Sequence, residues 1–139
     1  MSVTEHLARF VVESQLDDIP ENIYKEALRA IVNYMGCAIG GANEPAMEVA
    51  LETLLPFTGK ASTQVLGRGE SCDPLYAALF NGIGSHVHEY DDTLPKNYIH
   101  PSIPVASALF AYASANRDGN QVVTGKEFLQ AFILGFDVE

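Results

Sequence analysis

The sequence predicts an all-α fold, on three observations. Six segments repeat apolar residues at the three-and-four spacing of a helix with one buried face. Each segment opens on a capping or proline signal, and at most one short run has the composition of an extended segment.

Thr4 is read as the cap of a first helix whose Leu7, Phe10 and Val11 form a buried face, ending near Gln15. Asp17-Asp18-Ile19-Pro20-Glu21 then starts a second helix, because proline suits the first turn and acidic groups suit the positive end of the helix dipole. Its Ile23, Ala27, Leu28, Ile31, Tyr34, Met35 and Ala38 form a stripe that widens until the C-terminal end is apolar nearly all round, which predicts burial of that end. Gly36, Cys37, Ala38, Gly40 and Gly41 predict the close approach of another backbone, and the glycine pair stops the helix.

Glu44-Pro45 opens a third helix through Met47, Ala50, Leu51, Leu54 and Leu55, closed by Pro56 and Gly59. Ser62 to Gly67 is the extended run; with no partner strand in sight it is read as a connection, or as an edge that pairs outside the chain. Asp73-Pro74 starts a fourth helix running through Ser85. After His100-Pro101 a fifth helix runs from Ile103 to about Asn116, and Arg117-Asp118-Gly119-Asn120 is a turn. Thr124 and Glu127 make a capping box for a sixth helix from Lys126 onward, with Phe128, Leu129, Phe132, Ile133 and Phe136 on its apolar face. That pattern reaches Asp137-Val138-Glu139 without a terminating signal. Residues 1–139 are therefore read as a single helical domain forming the front part of a longer polypeptide.

Composition narrows the function classes. Eight basic against eighteen acidic residues give a formal charge of −10, which repels phosphate backbones and argues against nucleic acid or an anionic membrane as partner. The longest apolar stretch, Ala27 to Ala42, is interrupted by Arg29, Asn33 and glycines and is too short to cross a bilayer. Cys37 and Cys72 form neither a disulfide framework nor a zinc-type pair, and the N-terminus lacks a basic segment followed by an apolar core. These features predict a cytoplasmic protein. A mitochondrial address stays open for a eukaryotic source, although no transit-type segment is seen.

The densest chemistry lies in His86-Val87-His88-Glu89-Tyr90-Asp91-Asp92-Thr93 and His100-Pro101-Ser102, which together hold three of the four histidines. An ionised group buried without a partner costs several kcal/mol, so this stretch is either a solvated helix end or a site. If the fourth helix continues through Tyr90, His86, Glu89 and Tyr90 share one face, while His88 and Asp91 or Asp92 point elsewhere. A carboxylate within reach of an imidazole fixes its tautomer and gives a usable acid/base pair.

Each piece also has a plain structural reading. His86 and His88 can cap the last carbonyls of a helix, Asp91-Asp92-Thr93 can be an ordinary turn, and Ser102 can cap the next helix. Their joint presence favours a site. A metal site built from His86, His88, Asp92 and His100 is the reading of a metal-dependent hydrolase, but His-x-His places both rings on one side only in a strand, so no metal is expected. Neither a phosphate-binding loop nor a nucleophilic serine elbow is present; Gly67-Arg68-Gly69 is too short a signal.

A series of short pieces, in order, carries a family resemblance: Leu7-Ala8-Arg9-Phe10-Val11-Val12, Asp18-Ile19-Pro20-Glu21, Asn33-Tyr34-Met35-Gly36-Cys37-Ala38-Ile39-Gly40-Gly41, Ala77-Ala78-Leu79-Phe80-Asn81-Gly82, Asp91-Asp92-Thr93, His100-Pro101-Ser102 and Leu134-Gly135-Phe136-Asp137-Val138-Glu139. Across essentially the whole chain this series resembles the N-terminal portion of the MmgE/PrpD family, which includes 2-methylcitrate dehydratase, cis-aconitate decarboxylase and iminodisuccinate epimerase.

The resemblance implies a large helical domain joined to a smaller α+β domain. It further implies a homodimer and action on small polycarboxylates without metal or organic cofactor. The family's site positions fall on Glu89, Thr93 and His100, with further His, Lys and Tyr residues supplied from later in the chain. On that footing His100 and Glu89 are the expected catalytic pair, and Thr93, His86, Asp91 and Asp92 are expected at the substrate. Asp91 and Asp92 are read as holding the loop, one of them anchoring His100. The family has Asp where Glu89 stands and an apolar residue where His88 stands, and the interval from Asp92 to His100 is slightly longer than in relatives. The expected function is a lyase or isomerase that removes a proton α to a carboxylate, incomplete in 139 residues. The alternatives are a short, non-enzymatic helical dimerisation module and the metal-dependent hydrolase.

Overall fold

A computed structural model describes residues 2–15, 17, 19–96, 98–117 and 122–138. Six α-helices are present among the described residues: α1 (Val3–Glu13), α2 (Glu21–Gly40), α3 (Pro45–Leu54), α4 (Pro74–His86), α5 (Ser102–Ala115) and α6 (Gly125–Val138). A 3₁₀ turn, Leu55–Phe57, extends α3 at the proline that was expected to close it. The all-α expectation holds, apart from one small hairpin.

Local chemistry sets most of the helix ends. The Asp73 carboxylate accepts from the backbone N–H groups of Leu75 and Tyr76 and caps α4. Thr124 and Glu127 form the expected reciprocal box at α6. At α1 the cap is Ser2 rather than Thr4: the Ser2 hydroxyl accepts from Glu5 N–H and the Glu5 carboxylate accepts from Ser2 N–H. Ser2-x-x-Glu5 offers two reciprocal bonds where Thr4 offers one. The expected buried face of α1 is also corrected, since none of its residues is buried. The helix reaches α6 at its C-terminal end, where Gln130 Nε2 donates to the Ser14 carbonyl at 2.9 Å.

The extended run does find a partner inside the chain. β1 (Thr63–Gln64) pairs antiparallel with β2 (Ser71–Cys72), with Thr63 opposite Cys72 and Gln64 opposite Ser71. Gly67 turns the chain at φ +72°, a conformation that side chains strongly disfavour. Arg68 braces the turn against α3, donating to Glu70, Glu48, Asn43 and the Ala42 carbonyl. Asn81 of α4 is buried and accepts from Leu66 N–H at 2.8 Å, so the Asn-Gly pair of the sequence ties the hairpin to the helices.

α4 is the central helix, packed on α5 and α2. One core gathers Met47, Leu51, Val65, Cys72, Ala77, Phe80 and Ala111; the other gathers Ala27, Tyr34, Ala38, Ala106, Phe132 and Ile133. The C-terminal end of α2 buries one face only: Tyr34 and Ala38 are enclosed, while Ile39 is 52% exposed. The close backbone approach falls at Gly41 and Gly84. A Cβ on Gly41 would overlap the Gly84 carbonyl, and one on Gly84 would sit 3.3 Å from the Ala38 carbonyl oxygen, whereas Gly36 and Gly40 face open space. Cys37 and Cys72 are free thiols, and burial pushes both up from their ordinary pKa. Among the described residues no helix is long and apolar enough to cross a membrane. Asp18, Asp118, Gly119, Asn120 and Glu139, which were placed in the second helix start, the turn and the chain end, lie outside the described residues.

Candidate active site

The acidic loop begins where α4 stops. The helix ends at His86, Val87 N–H still reaches the Ile83 carbonyl, and Glu89 N–H returns to the His86 carbonyl at 2.8 Å. Glu89 then takes a left-handed φ of 54°, which turns the chain away from the helix axis. The continuation through Tyr90 therefore does not occur. Glu89 stands exposed instead of sharing a helical face with His86, and the next carboxylate, Asp91, points inward.

Asp91 is the centre of the arrangement. Its side chain is 1% exposed, and its oxygens lie 3.2 Å from His86 Nδ1 and 2.7 Å from His100 Nδ1. The two imidazoles meet edge to face, with ring centroids 4.8 Å apart. Thr93 Oγ1 lies 3.3 Å from His100 Nδ1. A backbone bridge sets Thr93 and His100 side by side: Leu94 N–H donates to the Ile99 carbonyl, and Tyr98 N–H to the Leu94 carbonyl, both at 2.9 Å. Four expected residues, His86, Asp91, Thr93 and His100, thus come together.

The others do not join them. Both Asp92 oxygens are engaged by Ser102, one by its backbone N–H at 3.3 Å and the other by its hydroxyl. Ser102 is consequently the first residue of α5 rather than its cap, and Asp92 supplies the capping oxygen from the loop. His88 Nε2 lies 3.4 Å from Glu44 Oε1 and its ring stacks on Tyr90. The metal set His86, His88, Asp92 and His100 is accordingly dispersed. A different group of donors is assembled: His86, Asp91 and His100 offer one ligand atom each, all within 4.8 Å of one another.

Two hollows flank the loop. One, of about 690 Å³, lies over α4 and α5; His86 and His100 form its polar edge, and Leu79, Ile83, Ile103 and Pro104 form its wall. The other, of about 530 Å³, lies between α2 and α6 and is lined by Asn33, Asp92, Phe132 and Phe136 among others. Asn33 was read as an interruption of an apolar run and as part of the family series, without a role at the site. Its Nδ2 donates to the Tyr90 carbonyl at 3.0 Å, tying the loop to α2, and its Oδ1 is buried without a protein partner. The signal available was the polar residue itself, on an otherwise apolar helix face.

Chemically, a buried carboxylate that accepts from the Nδ1–H of an imidazole fixes the ring in the tautomer whose Nε2 carries the lone pair. Asp91 is hydrogen-bonded in this way to His86 Nδ1, and its other contact, 2.7 Å to His100 Nδ1, is an ion-pair distance. A model of the MmgE/PrpD N-terminal domain matches residues 5–139. The chain belongs to the MmgE/PrpD family. Similar proteins include the cis-aconitate decarboxylase-like protein oryM of Aspergillus oryzae, 28% identical over 138 residues. Cis-aconitate decarboxylase of Aspergillus terreus is 26% identical over 135 residues, and that of Homo sapiens 26% over 139. These alignments take in 97–99% of the chain but 28–29% of each relative. The MmgE/PrpD chain described here thus spans just over a quarter of the length of the curated relatives it matches.

Proposed function

We propose that the intact protein is a lyase or isomerase of small polycarboxylates that works by removing a proton α to a carboxylate. The observation that carries this reading is His100, whose Nδ1 lies 2.7 Å from an oxygen of buried Asp91 and whose side chain lines the 690 Å³ hollow. The cis-aconitate decarboxylase names of its relatives support the substrate class.

In this reading Asp91 accepts Nδ1–H, and the Nε2 lone pair of His100 takes the proton from the substrate's α-carbon. The electron pair left behind spreads into the adjacent carboxylate. Protonated Nε2 then returns its proton to the leaving hydroxyl group in a dehydration or to carbon in an epimerisation; in a decarboxylation CO₂ itself leaves the electron pair on carbon, and Nε2–H of protonated His100 supplies the proton that carbon takes up, to be regained from water. Thr93 positions substrate through its hydroxyl and His86 borders the substrate, while Asp92, engaged by Ser102, holds the loop, and Glu89, on the exposed turn, is left without a part in this step. Cations that hold the substrate's carboxylates come from outside these residues. No metal or organic cofactor enters the scheme, and the working form is a cytoplasmic homodimer.

The test is turnover of full-length protein on cis-aconitate, 2-methylcitrate and iminodisuccinate, with His100→Ala alongside. A positioned acid/base group contributes about 10²–10⁴-fold, so the variant is expected to lose about a hundredfold or more. Unchanged turnover removes His100 from the chemistry.

A further inference from the structure

We propose that His86, Asp91 and His100 form a binding site for a divalent transition-metal ion of the zinc type, and that the bound ion switches the enzyme off. The binding claim stands on geometry alone; the inhibition claim rests on the function proposed above.

Two imidazole nitrogens and one carboxylate oxygen suit ions of intermediate softness, such as Zn²⁺ and Co²⁺. With metal–donor distances of about 2.0–2.2 Å, neighbouring donors in a tetrahedron lie roughly 3.3 Å apart. Here the carboxylate-to-nitrogen distances are 3.2 and 2.7 Å, and all three donor atoms lie within 4.8 Å of one another. To seat the ion the closest pair opens by about half an ångström and the widest closes by up to about 1.5 Å, movements that ring rotation at His86 and His100 supplies. The carboxylate is already desolvated, with its side chain 1% exposed, while His86 remains 48% exposed and leaves the ion an approach from solvent.

The loop is tied on both sides, by Asn33 to the Tyr90 carbonyl and by Asp92 to Ser102. Little ordering is left for the ion to impose, which favours binding.

The inhibition follows from the tautomers. In the metal-free state of this proposal each ring carries its proton on Nδ1, the nitrogen 3.2 Å (His86) or 2.7 Å (His100) from an Asp91 oxygen, and its lone pair on Nε2. An ion among the three groups needs the Nδ1 lone pairs, so each ring shifts its proton to Nε2. No proton has to leave the pair of rings as a whole. His100 then presents an N–H where the reaction needs a base, and Asp91 is committed to the metal. The same atoms cannot serve both states.

The experiment uses full-length protein freed of metal with chelator, and Co²⁺ as a spectroscopic probe. One equivalent is expected to give the visible absorption of a four- or five-coordinate ion. His86→Ala, at the most exposed ligand, is expected to weaken uptake about tenfold or more, and His100→Ala likewise. Zn²⁺ should displace the cobalt and abolish turnover, and chelator should restore it. Absence of the band overturns the site, and so does a band that survives both variants. A band lost in the variants together with full activity in bound Zn²⁺ overturns the inhibition. Should the substrate panel give no turnover at all, the function proposal fails while the cobalt spectrum still decides the site.

Discussion

Asn33, in the middle of α2, donates a hydrogen bond to the carbonyl of Tyr90, fifty-seven residues later and one position before the buried carboxylate of Asp91. The bond fixes where the loop passes over α2 and hence where Asp91 enters the interior. The other half of the amide, Oδ1, is buried without a protein partner, which is costly. Asn33→Leu loses a bond worth about 1 kcal/mol and also removes the orphaned acceptor, so the two effects oppose. Stability is expected to change by less than about 1 kcal/mol in urea denaturation. Turnover of the full-length variant is expected to fall about tenfold, mainly in kcat. A variant that loses stability but keeps full turnover would show the tether to be purely structural.

Asp92 and Ser102 make the complementary tie on the other side of the loop. The carboxylate accepts from the first N–H of α5 and from the hydroxyl beside it, and so caps a helix from ten residues upstream. Asp92→Ala leaves that helix end and the buried Ser102 hydroxyl without their acceptor; a loss of about 1–2 kcal/mol is expected in denaturant unfolding. Asp92→Asn keeps one accepting oxygen and should recover roughly half of it. Equal stability of all three proteins would show that the capping bonds are not formed in solution.

The helices were legible because their signals are local. Apolar spacing within α2, α4 and α6, Asp73 before α4, and the Thr124–Glu127 box each specify structure within one or two turns. The β1–β2 pairing was hidden because Ser71–Cys72 is only two residues long and is held by the Gly67 turn and the Arg68 brace rather than by strand composition. In the candidate site the residue types were legible, as was an aspartate beside His100, but which of Asp91 and Asp92 it is, and that Glu89 does not share the place, were not. Whether Glu89 or Asp91 meets His100 depends on where α4 stops, and one left-handed residue after the helix end reverses the choice. Exposure of α1 could not be read either, because its Leu7, Phe10 and Val11 spacing states that a face is apolar without stating what covers it.

Arg68 predicts a specific acid response. Its guanidinium, only 13% exposed, bonds Glu70 and holds that carboxyl below its ordinary value of 4.5. For a carboxyl lowered in the folded state, the unfolded chain binds the proton first as pH falls. Its contribution is therefore complete above about 4.5 and drains away as pH drops through the folded value. Arg68→Met removes the cause. At pH 7 the variant should melt below the parent protein, and the gap in Tm should narrow steadily below pH 4.5. A gap independent of pH between 7 and 3 would assign the Arg68 contribution to its neutral partners, Asn43 and the Ala42 carbonyl.

Tyr34 predicts the opposite limb. Its phenol is fully buried beside Phe110, bonded to Ser107 at 3.0 Å, and burial pushes its pKa up from 10.0 to about 12. The raised value means that the folded protein keeps a proton the unfolded chain gives up. The contribution is full below pH 10 and is lost as pH climbs from 10 to 12, on the order of 2–3 kcal/mol in total. Tyr34→Phe should flatten this alkaline loss while costing stability at neutral pH, because Ser107 keeps its hydroxyl without the partner. Ser107→Ala removes the bond that lowers the phenol's pKa, so it should displace the Tyr34 titration further upward, read as absorbance at 295 nm alongside circular dichroism. An alkaline unfolding curve identical in parent and Tyr34→Phe would place the burial of this ring, and with it the α2–α5 packing that frames the site, in error.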